Sequence, residues 1–137
     1  MKPRIVELKY VEDQPRSDLT ILELEKIDFV PKRVINIYNW GYQCSRKSKA
    51  SLNCDRVFMV CDRANIIFSL SYFEGEKLAH ETLWLCNPNE ALYIPRGVWM
   101  EIYCIGGEGL VTVLLSESHK NEMVIRDWPE FLEHFGG

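Results

Sequence analysis

The sequence predicts an all-β barrel of the jelly-roll type that ends in one short helix. Three observations support this fold class. Short apolar segments recur at roughly ten-residue spacing and alternate with turns rich in Gly, Asn, Asp and Pro. The chain has 137 residues, 47% of them hydrophobic, which is enough for a single domain over residues 1–137 with a buried core. One segment near the C-terminus carries helix-capping residues.

The N-terminal part of the chain contains three predicted strands separated by polar segments. Residues 5–11 alternate loosely and indicate a first strand, and residues 12–18 form a polar turn. A second strand is predicted at residues 19–24 and a third at residues 33–38, where β-branched residues are frequent. Residues 40–53 are rich in Ser and Lys, so we expect a strand edge followed by a loop. This segment either has a function or is simply exposed to solvent.

The middle of the chain predicts three strands connected by tight turns. Residues 57–61 form a buried strand, and a hairpin turn at residues 62–65 leads into an alternating strand at residues 66–73. After a second turn the chain returns as a strand at residues 78–85. These spacings are typical of antiparallel β-structure.

A sharp corner organises the C-terminal half of the barrel. It lies in residues 91–101, ALYIPRGVWME, where Pro95 fixes its backbone and Gly97 allows conformations closed to other residues. The following strand alternates between two faces, with Val98, Met100 and Ile102 on one side and Trp99, Glu101 and Tyr103 on the other. We therefore expect the barrel interior to determine what Trp99 and Met100 do.

The last predicted elements are a long strand and a helix. Residues 110–116 form an apolar strand, and residues 125–135 contain the helix. Asp127 is suited to the N-cap position, and Pro129 fits the first helical turn.

Charge and hydropathy exclude several classes of function. The net charge is −4, which argues against a protein that binds duplex nucleic acid. No apolar run reaches the roughly 18 residues that span a bilayer, and the N-terminus MKPRIVELKY lacks the apolar core of a signal peptide. We expect a cytoplasmic protein without a membrane partner.

The cysteines and histidines show no metal-binding pattern. The five cysteines are odd in number and contain no C-x-x-C spacing, so free thiols are expected in a reducing compartment. The three histidines lie far apart in sequence. We predict no metal and no cofactor.

Four segments together resemble a known family, in order and spacing. They are residues 29–39 (FVPKRVINIYN), 91–101 (ALYIPRGVWME), 110–118 (LVTVLLSES) and 124–132 (VIRDWPEFL). The chain is similar in these segments to the WxcM-like cupins, the nucleotide-sugar 3,4-ketoisomerases that act on dTDP-4-keto-6-deoxyglucose. The resemblance implies a cupin jelly roll, a homodimer and a dTDP-sugar bound in the barrel mouth.

The resemblance also implies a reaction, which moves a ketone from C4 to C3 of the sugar. That reaction needs a base for the C3 proton, stabilisation of an enediolate, and an acid that returns a proton at C4. In the family, the base and the acid come from an R-G-x-H-A-H segment, and a further histidine follows the tryptophan of a G-V-W-H segment. In this chain Lys49 and Ser51 occupy the first two histidine positions and Met100 the third.

The three substituted positions are weak candidates for catalysis. Lys49 acts as a base only if burial lowers its pKa well below about 10.4, and its polar flanks suggest that it stays charged. Ser51 has no neighbouring histidine to activate it. Met100 has no exchangeable proton and is expected to fill the barrel.

The resemblance and the residue types also nominate ligand-binding residues. Arg33 is expected to contact the pyrophosphate, the alternative being a surface ion pair. Arg46 matches a family arginine and is expected at a phosphate or sugar. Tyr38 either contacts the ligand or packs in the core, and Trp99 either packs on a base or sugar or serves as a core or interface aromatic. With Lys49 and Ser51, these residues form the predicted ligand site.

Two functions remain open from the sequence. The first is a binding module that retains the dTDP-keto-deoxysugar pocket without the family's turnover, because losing more than one acid–base residue leaves little rate. The second is an active 3,4-ketoisomerase with substituted residues, in deoxysugar, O-antigen or S-layer glycan biosynthesis. His80 stays open as a relocated base.

Overall fold

A computed structural model describes residues 2–13, 17–41, 43–61, 64–106 and 109–136. In chain order its strands are β1 (Arg4–Glu7), β2 (Lys9–Asp13), β3 (Ser17–Ile21), β4 (Arg33–Tyr38), β5 (Gln43–Ser51), β6 (Arg56–Cys61), β7 (Asn65–Glu74), β8 (Lys77–Leu85), β9 (Glu90–Ile94), β10 (Trp99–Ile105), β11 (Leu110–Leu115) and β12 (Val124–Ile125). A 3₁₀ turn spans Leu24–Lys26, and the helix α1 spans Trp128–Gly136.

Two five-stranded sheets form the barrel. The first has the order β1-β9-β6-β11-β4 and the second the order β12-β5-β10-β7-β8, while β2 and β3 form a separate hairpin. All strand pairs are antiparallel. The predicted all-β jelly-roll barrel with a short C-terminal helix is therefore confirmed.

The main core lies between the two sheets. Phe58 of β6 packs edge-on against Phe68 of β7, with ring centroids 4.9 Å apart. Val98, Met100 and Ile102 are all buried in this core. The predicted alternation of β10 is thus confirmed, because one face of that strand lines the barrel interior.

A second apolar cluster covers the outer face of the second sheet. Trp99 packs against Trp128 and Phe131 of α1, with ring centroids 5.3 and 5.6 Å apart. Asp127 caps the helix, since its Oδ2 accepts a hydrogen bond from the Glu130 amide at 3.1 Å. The N-cap prediction is confirmed, and Trp99 faces the helix instead of the barrel interior.

Several predicted boundaries differ from the structure. The helix begins at Trp128 because Val124 and Ile125 pair with β5 as a short strand. The first predicted strand is divided at Leu8, whose amide donates to the Asn89 carbonyl at 2.9 Å. The second strand ends at Ile21, and the chain then forms the 3₁₀ turn.

The polar segment at residues 40–53 contains the nine-residue strand β5, which is bordered by both β10 and β12. The predicted turns at residues 12–18 and 62–65 fall partly outside the described residues. The first turn is shorter than predicted, because β2 extends to Asp13 and β3 begins at Ser17. No helix in the described part of the chain is both long and apolar enough to cross a membrane. Cys54, Cys61 and Cys86 are free cysteines, as predicted, and the Cys44 side chain lies outside the described atoms.

Candidate functional site

A cavity of about 630 Å³ opens into one end of the barrel. Its inner wall is apolar and includes Ile35, Phe58, Met100, Ile102 and Val113. Most of the polar residues in its wall are basic. They are Arg33, Arg46, Lys49, Arg56 and Arg126, and they are joined by His119 and Glu122. This volume is within the range of pockets that bind small molecules.

Glu122 holds two of the cavity arginines together. Arg33 Nη2 donates to Glu122 Oε1 at 2.6 Å, and Arg56 Nη2 donates to Glu122 Oε2. Both arginines are cross-strand neighbours of Leu115, so β4 and β6 place them on either side of that residue of β11. The Glu122 and Arg56 side chains are each only 5% exposed.

The charge state of Glu122 follows from these contacts. Burial alone would raise its pKa, but the charge of Arg56 and hydrogen bonds from Arg33, Arg56 and Ser51 bring the pKa below its ordinary value. Glu122 is therefore a carboxylate at neutral pH. Its charge offsets part of the positive charge of the two arginines.

His119 lies beside this ion-pair cluster. Its Nδ1 is 3.2 Å from Arg33 Nη1. Arg33 Nε is buried and has no hydrogen-bond partner among the described residues. Arg33 thus contacts both the buried carboxylate and the exposed imidazole, and it retains one donor without a partner.

The segment that carries His119 and Glu122 is anchored at its far end. Asn53 Nδ2 donates to the Asn121 carbonyl, and Asn53 Oδ1 accepts from the Met123 amide, both at 2.9 Å. The Leu52 amide donates to the Met123 carbonyl at 2.8 Å. These bonds fix the chain between β11 and β12, and so they place both side chains at the cavity.

Lys49 lies in the cavity wall on β5, opposite Met100 of β10 in the strand register. Burial lowers the pKa of Lys49, and the nearby charges of Arg56, Arg126 and Arg46 lower it further, while Glu122 acts in the other direction. The net direction is downward. For Lys49 to act as a base, burial has to lower its pKa, and in the structure burial does shift this pKa downward.

The predicted site residues divide into two groups. Arg33, Arg46, Lys49 and Met100 all line the cavity. The other three, Tyr38, Ser51 and Trp99, are absent from its lining among the described residues. A ligand role for the six residues other than Met100 stays a prediction.

The three residues outside the cavity have evident local environments. Tyr38 is 68% exposed. Ser51 is buried, and its Oγ accepts a hydrogen bond from the Cys54 amide at 3.0 Å. Trp99 contributes to a groove on the outer face of the second sheet, where His80 also lies.

Sequence reasoning missed four residues of this site, namely Arg56, His119, Glu122 and Arg126. Arg56 is a charged residue at the start of an apolar strand, which was an available signal for a functional or paired cation. His119 and Glu122 lie in a polar turn, and nothing in their local sequence distinguishes them. Within the described ranges, no group of three or more His, Cys, Asp or Glu side chains is arranged to hold a metal.

Comparison with known families decides the assignment. The family described as FdtA: WxcM-like, C-terminal matches residues 1–136. The chain belongs to this family. The family resemblance predicted from the four sequence segments is therefore confirmed, whereas no curated protein sequence matches the chain.

Solved structures of WxcM-like relatives share the fold. The WlaRB TDP-quinovose 3,4-ketoisomerase of Campylobacter jejuni is 26% identical, with a TM-score of 0.81 over 96% of this chain and 97% of that one. A 3,4-ketoisomerase of Helicobacter canadensis is 26% identical, with a TM-score of 0.79 over 98% and 97%. QdtA of Thermoanaerobacterium thermosaccharolyticum, solved with TDP, is 21% identical, with a TM-score of 0.82 over 97% and 93%, and it shows likeness of fold.

Proposed function

We propose that this WxcM-like protein binds a dTDP-linked keto-deoxysugar in the barrel cavity and moves its ketone between C4 and C3. The observation that carries the proposal is the charge of the cavity. Four arginines, one lysine and one carboxylate line it, in a protein whose net charge is −4. A concentration of positive charge against the sign of the whole molecule is typical of a site for an anionic ligand.

The arrangement of these charges suits a nucleoside diphosphate sugar. Arg46 and Arg126 are exposed at the cavity, where they are available to phosphate oxygens. Arg33 also lines the cavity, where its bond to Glu122 fixes its guanidinium. The apolar inner wall is suited to the less polar face of a deoxysugar or to the thymine base.

The relatives support the same class of ligand. WlaRB is named for a 3,4-ketoisomerase reaction on a TDP-sugar, and QdtA was solved with TDP. A further QdtA structure, 21% identical to this chain, contains TDP-4-keto-6-deoxyglucose. We extend the ligand class to this chain because its cavity carries positive charge, which a diphosphate requires.

Lys49 is the residue that we propose as the base. It takes the C3 proton as a neutral amine, and burial among three arginines shifts its pKa in the direction that makes this form accessible. Lys49 occupies a position where the family has a histidine. The proposed reaction therefore uses a lysine at a position where the resemblance implies a histidine.

A second function, binding without turnover, is favoured by two other observations. Met100 is buried, is only 3% exposed and cannot transfer a proton. Ser51 is engaged by the Cys54 amide and lies outside the cavity lining. In this alternative the protein retains the ligand site and acts as a partner or regulator in a deoxysugar pathway.

Two measurements on the same sample separate these functions. Calorimetric titration with dTDP tests the ligand, and we expect saturable binding that weakens with salt because the site is cationic. Incubation with dTDP-4-keto-6-deoxyglucose tests turnover, and we expect a 3-keto product by NMR. Binding without product would support the second function, and absence of binding would remove the nucleotide-sugar ligand altogether.

We also propose the cellular setting that the family resemblance implies. The protein acts as a single-domain homodimer in the cytoplasm and serves the biosynthesis of deoxysugar-containing glycans such as lipopolysaccharide. Analytical ultracentrifugation of the purified protein tests the assembly. A sedimentation coefficient that fits a 16.0 kDa species at all concentrations would contradict the homodimer.

A further inference from the structure

His119 is held at the cavity by a contact with Arg33 that favours one tautomer of its ring. Arg33 Nη1 lies 3.2 Å from His119 Nδ1, and a guanidinium group has donors only. Nδ1 must therefore be the acceptor in this contact. A proton on Nδ1 would place two donors and two cations against each other.

This contact determines the tautomer of the ring. In the tautomer whose Nδ1 accepts from Arg33, the ring proton is on Nε2. His119 is exposed and lines the cavity, so it is accessible to a ligand there. It can donate one hydrogen bond through Nε2, which is the property required at a carbonyl or enediolate oxygen.

Arg33 is itself fixed, which makes the orientation of His119 reproducible. Its second terminal nitrogen donates to Glu122, and Glu122 is also paired with Arg56. The buried carboxylate thus orients the guanidinium, and the guanidinium orients the imidazole. The positive charge of Arg33 beside Nδ1 also stabilises any negative charge that develops on the ring when Nε2 gives up its proton.

From this arrangement we infer that His119 is the electrophile and proton donor of the cavity and that Arg33 is its positioning residue. The inference deepens the proposed function and depends on the keto-sugar ligand assigned there. His119 belongs to the turn between β11 and β12. The family histidines implied by the resemblance correspond to positions on other elements, β5 and β10. Lys49 and His119 then divide the reaction between them.

The proton transfers balance over the whole isomerisation. Lys49 takes the proton from C3, the electron pair forms a C3–C4 double bond, and the C4 carbonyl oxygen takes the proton from His119 Nε2. The resulting enediol then loses the proton of its C3 oxygen to His119 Nε2. As the C3 ketone forms, C4 takes a proton from the Lys49 ammonium group, and both residues return to their starting states.

The test uses a substitution that retains the Arg33 contact and removes only the donor. In His119→Asn the amide oxygen can replace Nδ1 as the acceptor for Arg33, but no atom replaces Nε2. We expect solvent deuterium exchange into dTDP-4-keto-6-deoxyglucose to fall by about 10²–10⁴-fold in this variant. The affinity for dTDP, measured by calorimetry, should stay unchanged.

Two further variants complete the test. His119→Ala should lose exchange to the same extent, and added imidazole should restore part of it. His80→Gln is the matched control, because His80 lies outside the cavity lining and contacts Ser71 at 2.9 Å, and this variant should exchange at the wild-type rate.

The outcomes distinguish failure of this inference from failure of the proposed function. Wild-type exchange in His119→Asn overturns the inference alone. A loss of dTDP affinity parallel to the loss of exchange also overturns it, because that result indicates a purely structural role. If the wild-type protein binds dTDP without exchanging, the inference fails and only the ligand proposal survives. If it does not bind dTDP, both fail.

Discussion

The substitution Glu122→Gln perturbs the centre of the cavity's charge cluster. Glu122 accepts from Arg33 at 2.6 Å and from Arg56 on its other oxygen, and its side chain is 5% exposed. Glutamine preserves the shape of the side chain but removes the charge. It also turns one acceptor into an NH₂ group, which then faces a guanidinium donor.

The expected magnitude follows from burial. Removing one partner of a buried ion pair costs about 3–5 kcal/mol, because the remaining charge is left without compensation. In a chain of 137 residues each kcal/mol lowers Tm by about 3–4 °C, so we expect a fall of about 10–17 °C. The matched control is Glu117→Gln, which removes a pair at 3.6 Å with Lys32, a lysine that is 59% exposed. That exposed pair should cost at most about 1 kcal/mol.

The pH dependence gives an independent check on the same residue. The pKa of Glu122 is lowered in the folded state, so its stabilising contribution is present above the unfolded pKa of about 4.3 and is lost as pH falls through the lower folded value. The difference in Tm between the wild type and Glu122→Gln should therefore be full at pH 7 and shrink below about pH 4. Thermal unfolding followed by circular dichroism measures both effects. A fall no larger than that of Glu117→Gln at pH 7 would refute the reasoning.

The remaining predictions concern the base, the phosphate site and the helix. Lys49→Met should lower deuterium exchange by about 10²–10⁴-fold without loss of dTDP binding. The wild-type exchange rate should rise with pH through the lowered pKa of Lys49, because the neutral amine is the base; a flat pH profile would contradict this. Arg46→Gln should weaken dTDP binding by up to about tenfold at low salt and by less at high salt, as calorimetry can show. Asp127→Ala should cost about 1 kcal/mol in urea unfolding and leave dTDP binding unchanged, since the lost N-cap bond lies on the outer helix.

The architecture was accessible from the sequence because it depends on alternation and turn chemistry. The β10 pattern identifies which face enters the barrel, and Val98, Met100 and Ile102 are indeed buried there. Asp127 and the apolar residues that follow it mark the helix. The strand β5 was less evident because its polar side chains, Arg46 and Lys49 among them, face the cavity instead of a packed core.

The site was only partly accessible from the sequence, for a reason of distance along the chain. The resemblance and the strand patterns bring Arg33, Arg46, Lys49 and Met100 to one cavity. His119 approaches Arg33 across 86 residues of sequence. Nothing local to the polar turn indicates that contact. The position of Tyr38, in contrast, could be judged from strand alternation. Odd-numbered residues of β4 line the cavity, so the even-numbered Tyr38 lies on the other face, where it is exposed.

The most direct test of the central claim is NMR of dTDP-4-keto-6-deoxyglucose in D₂O with the wild-type protein. If the cavity binds the keto-sugar and transfers its protons through Lys49 and His119, deuterium should enter at C3 at a rate proportional to protein concentration, and the 3-keto isomer should follow. If dTDP saturates the protein while C3 keeps its proton at the protein-free rate, the cavity binds without catalysis and the claim is contradicted.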